Sequence, residues 1–242
     1  MFWKEPAGLK SLNVSAKVGI TLFLIIAGIG YLLGFANILL TYSPVVQKPG
    51  MSMEDIRISF YGARGTTVLE ASIDGTMKEY FQSENEYQEL KLWLTNGASE
   101  ADFASVQPVF ESSCVMCHSS ESEVAGVVTE SYQSVEPLLA QDTGKSISRL
   151  VALSHTHVLA TLPIIFLLAL VFSFTLYNEK LKAVVIGFSF LAILFDIGSW
   201  WLAKAAAGAA PLVILGGVSL AVSFGAYVVL SLIDLLFKKK KA

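Results

Sequence analysis

The sequence predicts a mainly α-helical membrane protein with four transmembrane helices and a small, α-rich polar domain with some β structure, inserted between the first two helices. Its 242 residues are 54% hydrophobic and only 15% charged. A soluble globular domain is less apolar and more charged than this. The apolar residues form four long runs, and most of the charged residues lie in residues 41–150. Together these observations favour a transmembrane part made of four helices, with one polar domain inserted in it.

The first apolar run covers residues 18–40. As a helix it would be roughly 35 Å long, enough to cross a hydrocarbon core of about 30 Å. A cleaved signal peptide is the alternative interpretation. The run is longer than the apolar part of a typical signal peptide, and no small-residue cleavage site follows it. We therefore interpret it as a retained transmembrane helix.

Three further apolar runs follow the insert, and each is long enough to cross a bilayer. They cover residues 151–176, 183–202 and 211–237. The last run contains small residues that favour close helix packing and hint at a subunit interface. These are Gly216, Gly217, Ser219, Ser223 and Gly225. Near its end, Asp234 is interpreted as a solvated helix-end residue.

Basic residues flank the apolar runs on one side. They are Lys4, Lys10, Lys17, Lys180, Lys182 and the lysines of the tail, residues 238–242. Because basic loops stay in the cytoplasm, residues 1–17 and the tail are expected there, with residues 41–150 on the periplasmic side of a bacterial inner membrane. The insert holds 16 acidic and 7 basic residues, so it is acidic.

The insert is expected to combine strands and helices. Residues 58–75 alternate in a β-like manner, with Gly62 and Gly65 at a turn between two candidate strands. Helical spacing of apolar residues indicates three helices. These cover residues 77–96, residues 101–117 and a short segment at 131–139.

The chemical centre of the insert is the C-x-x-C-H pattern formed by Cys114, Cys117 and His118. Two thiols three residues apart on one turn can bond the two vinyl groups of a porphyrin, and the following imidazole can bind its iron. A redox dithiol or half of a zinc site would also use C-x-x-C. However, the chain has no second cysteine pair, and no βαβ pattern precedes the motif. The pattern predicts one covalent haem c, with His118 as an iron ligand.

The sequence around this motif resembles known proteins. Residues 106–118 (VQPVFESSCVMCH) are similar to the haem-binding entry of class I-like monohaem cytochromes c, and the phrases at 90–99 and 144–153 are similar to parts of bacterial cytochrome c domains. The resemblance covers roughly residues 85–155 and leaves the four-span architecture without a named family. It implies an electron-carrying haem domain.

The second iron ligand departs from the pattern of that family, whose members supply a methionine downstream of the motif. No methionine follows His118 here, but His155 and His157 do. We predict His155 as the ligand, with His157 as the alternative. Residues two apart on a helix point about 200° apart, so only one of them can face the iron. Upstream methionines (Met51, Met53, Met77), an open iron site, or interfacial histidines that bind no iron remain alternatives.

Asp196 lies inside the third predicted span, followed by Trp200 and Trp201. Ionisable residues within a membrane are functional candidates because they are costly to bury. With His157 entering from the same side, Asp196 could form a quinol or proton site walled by the two tryptophans. The simpler interpretation is that Asp196 bonds Ser199 or another subunit, and that the tryptophans belong to the interfacial belt.

These features predict a membrane-bound monohaem c-type cytochrome that transfers electrons between a membrane donor and an outer-side acceptor. It is expected to be a subunit of a respiratory or photosynthetic complex rather than a stand-alone enzyme, and no catalytic residue is assigned. The alternatives are a quinol:cytochrome c oxidoreductase subunit and a haem-based redox or gas sensor. Expected partners are membrane lipid, other subunits, quinol, and a soluble cytochrome or other redox protein docked on the acidic insert. Nucleic acid is not expected.

Overall fold

The computed structural model describes residues 8–42, 52–122 and 127–237. The chain divides into two compact units. The four-helix unit consists of Met1–Leu40 and Ser146–Ala242, and the polar unit consists of Thr41–Lys145. The whole predicted basic tail (residues 238–242) and the candidate ligand Met51 lie outside the described residues, as do the first seven residues of the predicted cytoplasmic N-terminus.

The described part of the chain contains nine α-helices joined by turns and short 3₁₀ segments. In chain order they are α1 (Val14–Tyr42), α2 (Met53–Tyr61), α3 (Val68–Asp74), α4 (Glu84–Thr95), α5 (Phe103–Ser113), α6 (Tyr132–Val135), α7 (Ile147–Ser173), α8 (Glu179–Ala205) and α9 (Ala210–Leu236). The protein is therefore mainly helical, as the sequence predicts.

Four of these helices, α1, α7, α8 and α9, are long and apolar enough to cross a membrane. Each has 27 to 29 residues, which corresponds to about 40 Å and exceeds a hydrocarbon core of about 30 Å. Each overlaps one of the four predicted spans, and its ends lie within about a turn of the predicted ends. The chain is a multi-pass membrane protein, and the apolar surfaces of these helices contact lipid.

The β structure expected at residues 58–75 is wrong. These residues belong largely to α2 and α3, and the only β pairing in the described parts of the chain is an isolated bridge between Thr67 and Gln141. Burial follows helical spacing instead, because Ile56 and Phe60 are buried four residues apart, as are Leu69 and Ile73. Packing at this spacing is what a helix needs and a strand does not provide.

Side-chain caps set where the helices of the polar unit begin. Ser52 accepts a hydrogen bond from the backbone of Asp55, whose carboxylate accepts one from the Ser52 backbone, a complete capping box. Thr67 and Ser83 cap α3 and α4 by accepting from the third helical residue. Each cap pairs a donor that has no partner inside the helix, which stabilises the helix by about 1 kcal/mol.

The helices expected after residue 76 are present in shortened form. The segment 77–96 divides into a 3₁₀ turn at Lys78–Tyr80 and helix α4, because Ser83 starts a new helix. Helix α5 occupies the middle of residues 101–117, and residues 131–139 contain α6 and a 3₁₀ turn at Glu136–Leu139.

Aromatic side chains form the centre of the polar unit. Trp93 of α4 meets Phe103 and Phe110 of α5 edge-on, with ring centroids 5.8 and 6.2 Å apart. Phe110 is 1% exposed. Aromatic pairs in this geometry are attractive beyond their burial. They hold α4 and α5 together and so fix the end of α5, where the C-x-x-C-H motif begins.

Asp234 is not the solvated helix-end residue that its position suggested, since it is fully buried. Its Oδ2 accepts a hydrogen bond from the backbone N–H of Leu9 at 3.0 Å, and its Oδ1 accepts one from Leu176 at 2.7 Å. One carboxylate therefore joins α9 to the N-terminal 3₁₀ turn and to the link between α7 and α8.

Lys182, one of the basic residues that flank the predicted spans, is also buried. Its ammonium donates to the backbone carbonyls of Ser173 at 2.9 Å and Thr175 at 3.3 Å, and it pairs with Glu179 at 2.6 Å. A cation is favourable at the C-terminal end of a helix because the last carbonyls lack partners there. Lys182 therefore completes the end of α7.

Candidate functional site

The C-x-x-C-H motif forms a tight turn directly after α5. The backbone N–H of Cys114 donates to the carbonyl of Phe110, which closes the helix. The backbone N–H groups of Cys117 and His118 then both donate to the carbonyl of Cys114, at 3.1 and 2.9 Å. This turn keeps the two cysteines and the histidine local to one another and continuous with the buried core of the polar unit.

The His118 ring is oriented by the backbone that follows it. Its Nδ1 lies 3.2 Å from the carbonyl oxygen of Val127. Because a carbonyl can only accept, Nδ1 must donate, which leaves Nε2 unprotonated in the neutral ring. Metal-binding histidines are held by this kind of bond. The backbone N–H of Thr129 also donates to the His118 carbonyl, at 2.8 Å, and secures the segment.

Both cysteines of the motif are half-buried free thiols. Burial, together with the nearby charge of Glu86, raises the pKa of Cys114 to about 11. Two thiols and an imidazole with Nε2 available are the donor set that covalent haem needs. Within the described residues no three His, Cys, Asp or Glu side chains cluster as a site for a bare metal ion. The two thiols and the imidazole of the motif are the residue types that would hold a porphyrin-bound iron.

Glu86 places a negative charge close to the motif, a feature that the sequence did not suggest. Its carboxylate accepts hydrogen bonds from Ser113 at 2.7 Å and Ser112 at 2.9 Å, and one from the backbone of Gln82. The bond from Ser113 is the main reason that the pKa of Glu86 is lowered. Hydrogen bonds to a carboxylate stabilise its charged form, so this charge persists at neutral pH.

The candidate second ligands lie in different parts of the chain. His155 is exposed and His157 is half-buried, both on α7 of the four-helix unit, whereas His118 belongs to the polar unit. Met53 is 47% exposed, and Met77 is half-buried. Iron ligation by His155, or by any of its alternatives, stays a prediction.

The second candidate site lies inside the four-helix unit, where α7 and α8 bring His157 and Asp196 together. His157 Nε2 is 3.6 Å from Asp196 Oδ2, and the Asp196 side chain is only 6% exposed against 43% for His157. The ring of Trp200 meets the imidazole edge-on at 5.0 Å, and Trp200 also donates a hydrogen bond to the carboxylate of Asp196. The three side chains form one contiguous group.

Helices α1 and α9 complete the surroundings of Asp196. Gly216 of α9 allows a close approach, since a Cβ at this position would lie 2.7 Å from the Asp196 Cα. Tyr31 of α1 lies near Asp196 and stacks on Phe224, with the ring centroids 4.6 Å apart. Sequence reasoning missed Tyr31, although a phenol within an apolar run is a signal that could have found it.

The simpler interpretation of Asp196, Trp200 and Trp201 was that Asp196 bonds Ser199 and that the tryptophans lie in the interfacial belt. The hydrogen bonds of these residues test it. The Ser199 hydroxyl donates to the backbone carbonyl of Asp196 at 2.6 Å rather than to its carboxylate. Trp201 donates from Nε1 to the Ser154 hydroxyl at 3.1 Å, which ties α8 to α7. The carboxylate of Asp196 therefore points to His157 and Trp200, and both tryptophans take part in contacts between helices.

Comparison with known proteins shows a similarity in the C-terminal part of the chain. A family described as a transmembrane helical domain, Aq_1264_TM, matches residues 128–242. This segment contains α7, α8 and α9, and with them His157 and Asp196, but the C-x-x-C-H motif precedes it. No curated protein matches the chain, and no solved structure matches it either.

Proposed function

We propose that this chain is a membrane-bound monohaem c-type cytochrome, which carries electrons between a membrane donor and an outer-side acceptor. Cys114 and Cys117 would attach the porphyrin, and His118 would bind its iron through Nε2. When bound, the haem supplies a centre that gains and loses one electron. The bond between His118 Nδ1 and the Val127 carbonyl is the observation that supports this proposal, because it leaves Nε2 of the neutral imidazole unprotonated, as an iron ligand would have to be.

The residues around the motif would lower the reduction potential of the haem and keep water away from part of it. The Val127 carbonyl makes the imidazole a stronger electron donor, and the charged Glu86 carboxylate lies near Cys114. Both effects favour the oxidised iron and lower a reduction potential. The buried ring of Phe110, one turn before Cys114, excludes water from the base of the motif.

The location and partners of the protein form part of the same proposal. Covalent haem is attached on the outer face of energy-transducing membranes, which agrees with the basic residues that flank the spans and with the positive-inside rule. The chain would thus lie in a bacterial inner membrane with residues 41–150 in the periplasm. The excess of acid in this segment suits docking to a basic redox partner, such as a soluble cytochrome. Other subunits of an electron-transfer complex would supply the membrane donor.

Covalent attachment of haem is the first test. We would express the chain with a c-type haem maturation system and compare the mass of the denatured protein with the mass calculated for the polypeptide. The expected increase is one haem, together with the absorption spectrum of a low-spin c-type cytochrome. Cys117→Ala should lose the two-bond attachment, whereas Met116→Ala is the matched control because Met116 is 83% exposed. A parent protein with an unchanged mass would refute the proposal.

The second iron ligand needs a separate measurement. Low-temperature EPR or near-infrared magnetic circular dichroism of the oxidised protein distinguishes two histidine ligands from histidine with methionine. A two-histidine spectrum that is lost in His155→Ala and kept in His157→Ala would support His155. A histidine–methionine spectrum would refute that ligand and point to Met53 or Met77 instead, with the haem proposal unaffected.

A second candidate function, quinol oxidation, is favoured by the contact between His157 and Asp196. An imidazole and a carboxylate 3.6 Å apart beside Trp200 can accept the protons of a quinol. Oxidation of one quinol to quinone releases two protons and two electrons. One haem accepts one electron, so the second electron needs a partner protein or the haem of a second copy.

Quinol oxidation is tested by the rate at which a short-chain quinol reduces the haem of the purified protein. We expect His157→Ala and Asp196→Asn each to slow reduction at least tenfold, because each removes a proton acceptor. Ser219→Ala is a control on α9, where the hydroxyl bonds only its own helix at Leu215. Equal rates in the parent and both variants would exclude this site, and the haem mass would still report on the first proposal.

A further inference from the structure

A series of buried polar side chains follows α8 and α9, and of these only Asp196 takes part in the proposed quinol site. We call this series the buried polar line. Every member is at most 4% exposed. The members are Lys182, Ser189 and Asp196 on α8, and Ser223, Tyr227, Ser231 and Asp234 on α9.

The spacing of these residues places them along one interface from end to end. On α8 the three members are seven residues apart, so they share a face at intervals of about 10.5 Å. On α9, Gly216 lies against Asp196, and Asp234 follows 18 residues later. This separation is about 27 Å along the helix, close to the thickness of a hydrocarbon core.

A pair of hydroxyl groups occupies the middle of the line. The Ser189 Oγ and the Tyr227 hydroxyl are 2.6 Å apart, and both residues are fully buried. Because the Ser189 O–H donates to the carbonyl of Ile186 at 2.8 Å, the Tyr227 O–H donates to Ser189. Such a pair can accept a proton on one oxygen and release one from the other.

Ser231 provides an independent observation. Its hydroxyl is buried and has no hydrogen-bond partner among the residues that the structure describes. It lies between Tyr227 and Asp234 in the spacing of the line. A buried hydroxyl without a partner is rare and marks a place where an internal water molecule can bind.

Titratable groups stand at both ends of the line. Asp196 lies beside His157 at one end. Asp234 lies at the other end, where it bonds the backbone of Leu9 and Leu176 close to the C-terminal end of α9. Carboxylates within membrane helices are costly to bury and often belong to proton relays.

We propose that the buried polar line conducts protons between the Asp196 end and the Asp234 end of the four-helix unit. A proton moves from a carboxylic acid to a bridging water molecule, through the O–H groups of Ser189 and Tyr227, and on to the second carboxylate. The gaps of about 10 Å between members of the line are too long for direct proton transfer. The proposal therefore includes bridging water molecules in these gaps, one of them bound at the Ser231 hydroxyl. No electron is transferred and no other bond is broken.

Proton flux through reconstituted liposomes tests this proposal. The full chain is incorporated into liposomes that contain a pH-sensitive dye, and a pH step is applied with potassium and valinomycin present to balance charge. We expect the interior pH to change faster than in protein-free liposomes. Asp196→Asn and Tyr227→Phe should reduce the extra flux at least tenfold. Ser219→Ala is the matched control and should keep the flux of the parent.

The proposal is overturned by either of two results. One is a parent flux equal to that of protein-free liposomes. The other is a parent-like flux in both Asp196→Asn and Tyr227→Phe, which would make the line a purely structural feature. If Tyr227→Phe does not insert, Ser189→Ala removes the other half of the hydroxyl pair and takes its place. The assay needs no haem, so its result is separate from the tests of electron transfer.

Discussion

Replacing Asp234 by alanine should destabilise the four-helix unit. The carboxylate is fully buried, and each of its oxygens accepts a different backbone N–H, from Leu9 at 3.0 Å and from Leu176 at 2.7 Å. Alanine would leave both N–H groups without an acceptor. An unpaired buried donor costs about 1–3 kcal/mol.

The size of the effect follows from the burial of the two donors. Leu9 is fully buried, so its N–H cannot turn to water and should cost about 2 kcal/mol. Leu176 is only half-buried, so partial hydration should limit its contribution to about 1 kcal/mol. We expect a total loss of about 3 kcal/mol in the free energy of unfolding. Asp234→Asn keeps one acceptor oxygen but turns an NH₂ group toward the other donor, so its loss should be intermediate.

The assay is reversible unfolding in mixed detergent micelles at increasing fractions of a denaturing detergent, followed by circular dichroism of the helices. Ser173→Ala is the control, because the Ser173 hydroxyl bonds only its own helix at Leu170; its change should stay within about 0.5 kcal/mol. The reasoning is refuted if Asp234→Ala lies within that same range, or if Asp234→Asn is the more damaging of the two.

Three further predictions use the same unfolding measurement. Gly216→Ala should cost about 1–3 kcal/mol, since its Cβ would lie 2.7 Å from the Asp196 Cα, whereas Gly217→Ala has open space and should be neutral. Phe110→Ala should cost about 3–5 kcal/mol and melt the polar unit, because the ring is 1% exposed. Burial lowers the pKa of Lys91, but hydrogen bonds to its two carboxylate partners outweigh this and raise it to about 12. The resulting stabilisation is complete below about pH 10.5 and lost as pH rises through about 12, and Lys91→Met should lack this dependence.

Each of these predictions has its own refuting result. Equal stability of Gly216→Ala and Gly217→Ala would mean that α8 and α9 can separate at no cost. An unchanged Phe110→Ala protein would place the core of the polar unit elsewhere. A Lys91→Met protein that loses stability over the same alkaline range as the parent would assign that loss to other groups.

The membrane helices could be predicted from the sequence because their signal is composition over a long window. An uninterrupted run of more than 20 apolar residues has few alternatives to a membrane span. The helix ends were less certain, because the outer turns are polar. Asn178 caps α8 by accepting a hydrogen bond from the backbone of Leu181, so the helix begins at Glu179, four residues before the start that hydropathy indicated.

The wrong prediction of strands at residues 58–75 gave more weight to the alternation of apolar and polar residues than to the helix-capping residues. The pattern at Ser52, with Asp55 three residues later, and the pattern at Thr67, with Glu70 three residues later, are helix-start signals that were present in the sequence. Short segments in which β-branched residues alternate with small ones are ambiguous on periodicity alone. Here the caps and the burial of side chains four residues apart decide in favour of helices.

The buried charges Lys182 and Asp234 could not be predicted from local sequence. Both sit at the ends of apolar runs, where a solvated position is the usual outcome. Their burial depends on backbone groups from distant segments: Asp234 pairs with the N–H of Leu9, 225 residues away in the chain. Only the assembled helices show which backbone donors and acceptors lack partners within their own helix.

The two candidate sites differ in how well they could be predicted from the sequence. The C-x-x-C-H motif lies within five consecutive residues, so its geometry is local and follows from one turn after α5. The pairing of His157 with Asp196 requires α7 and α8 to pack in one register out of several, and the sequence alone does not choose among them. The family match, residues 128–242, includes α7 and α8 but begins after the C-x-x-C-H motif. The haem proposal and the proton proposals therefore concern separable parts of the chain, and a loss of haem with retained proton flux, or the reverse, would show which part carries the protein's activity.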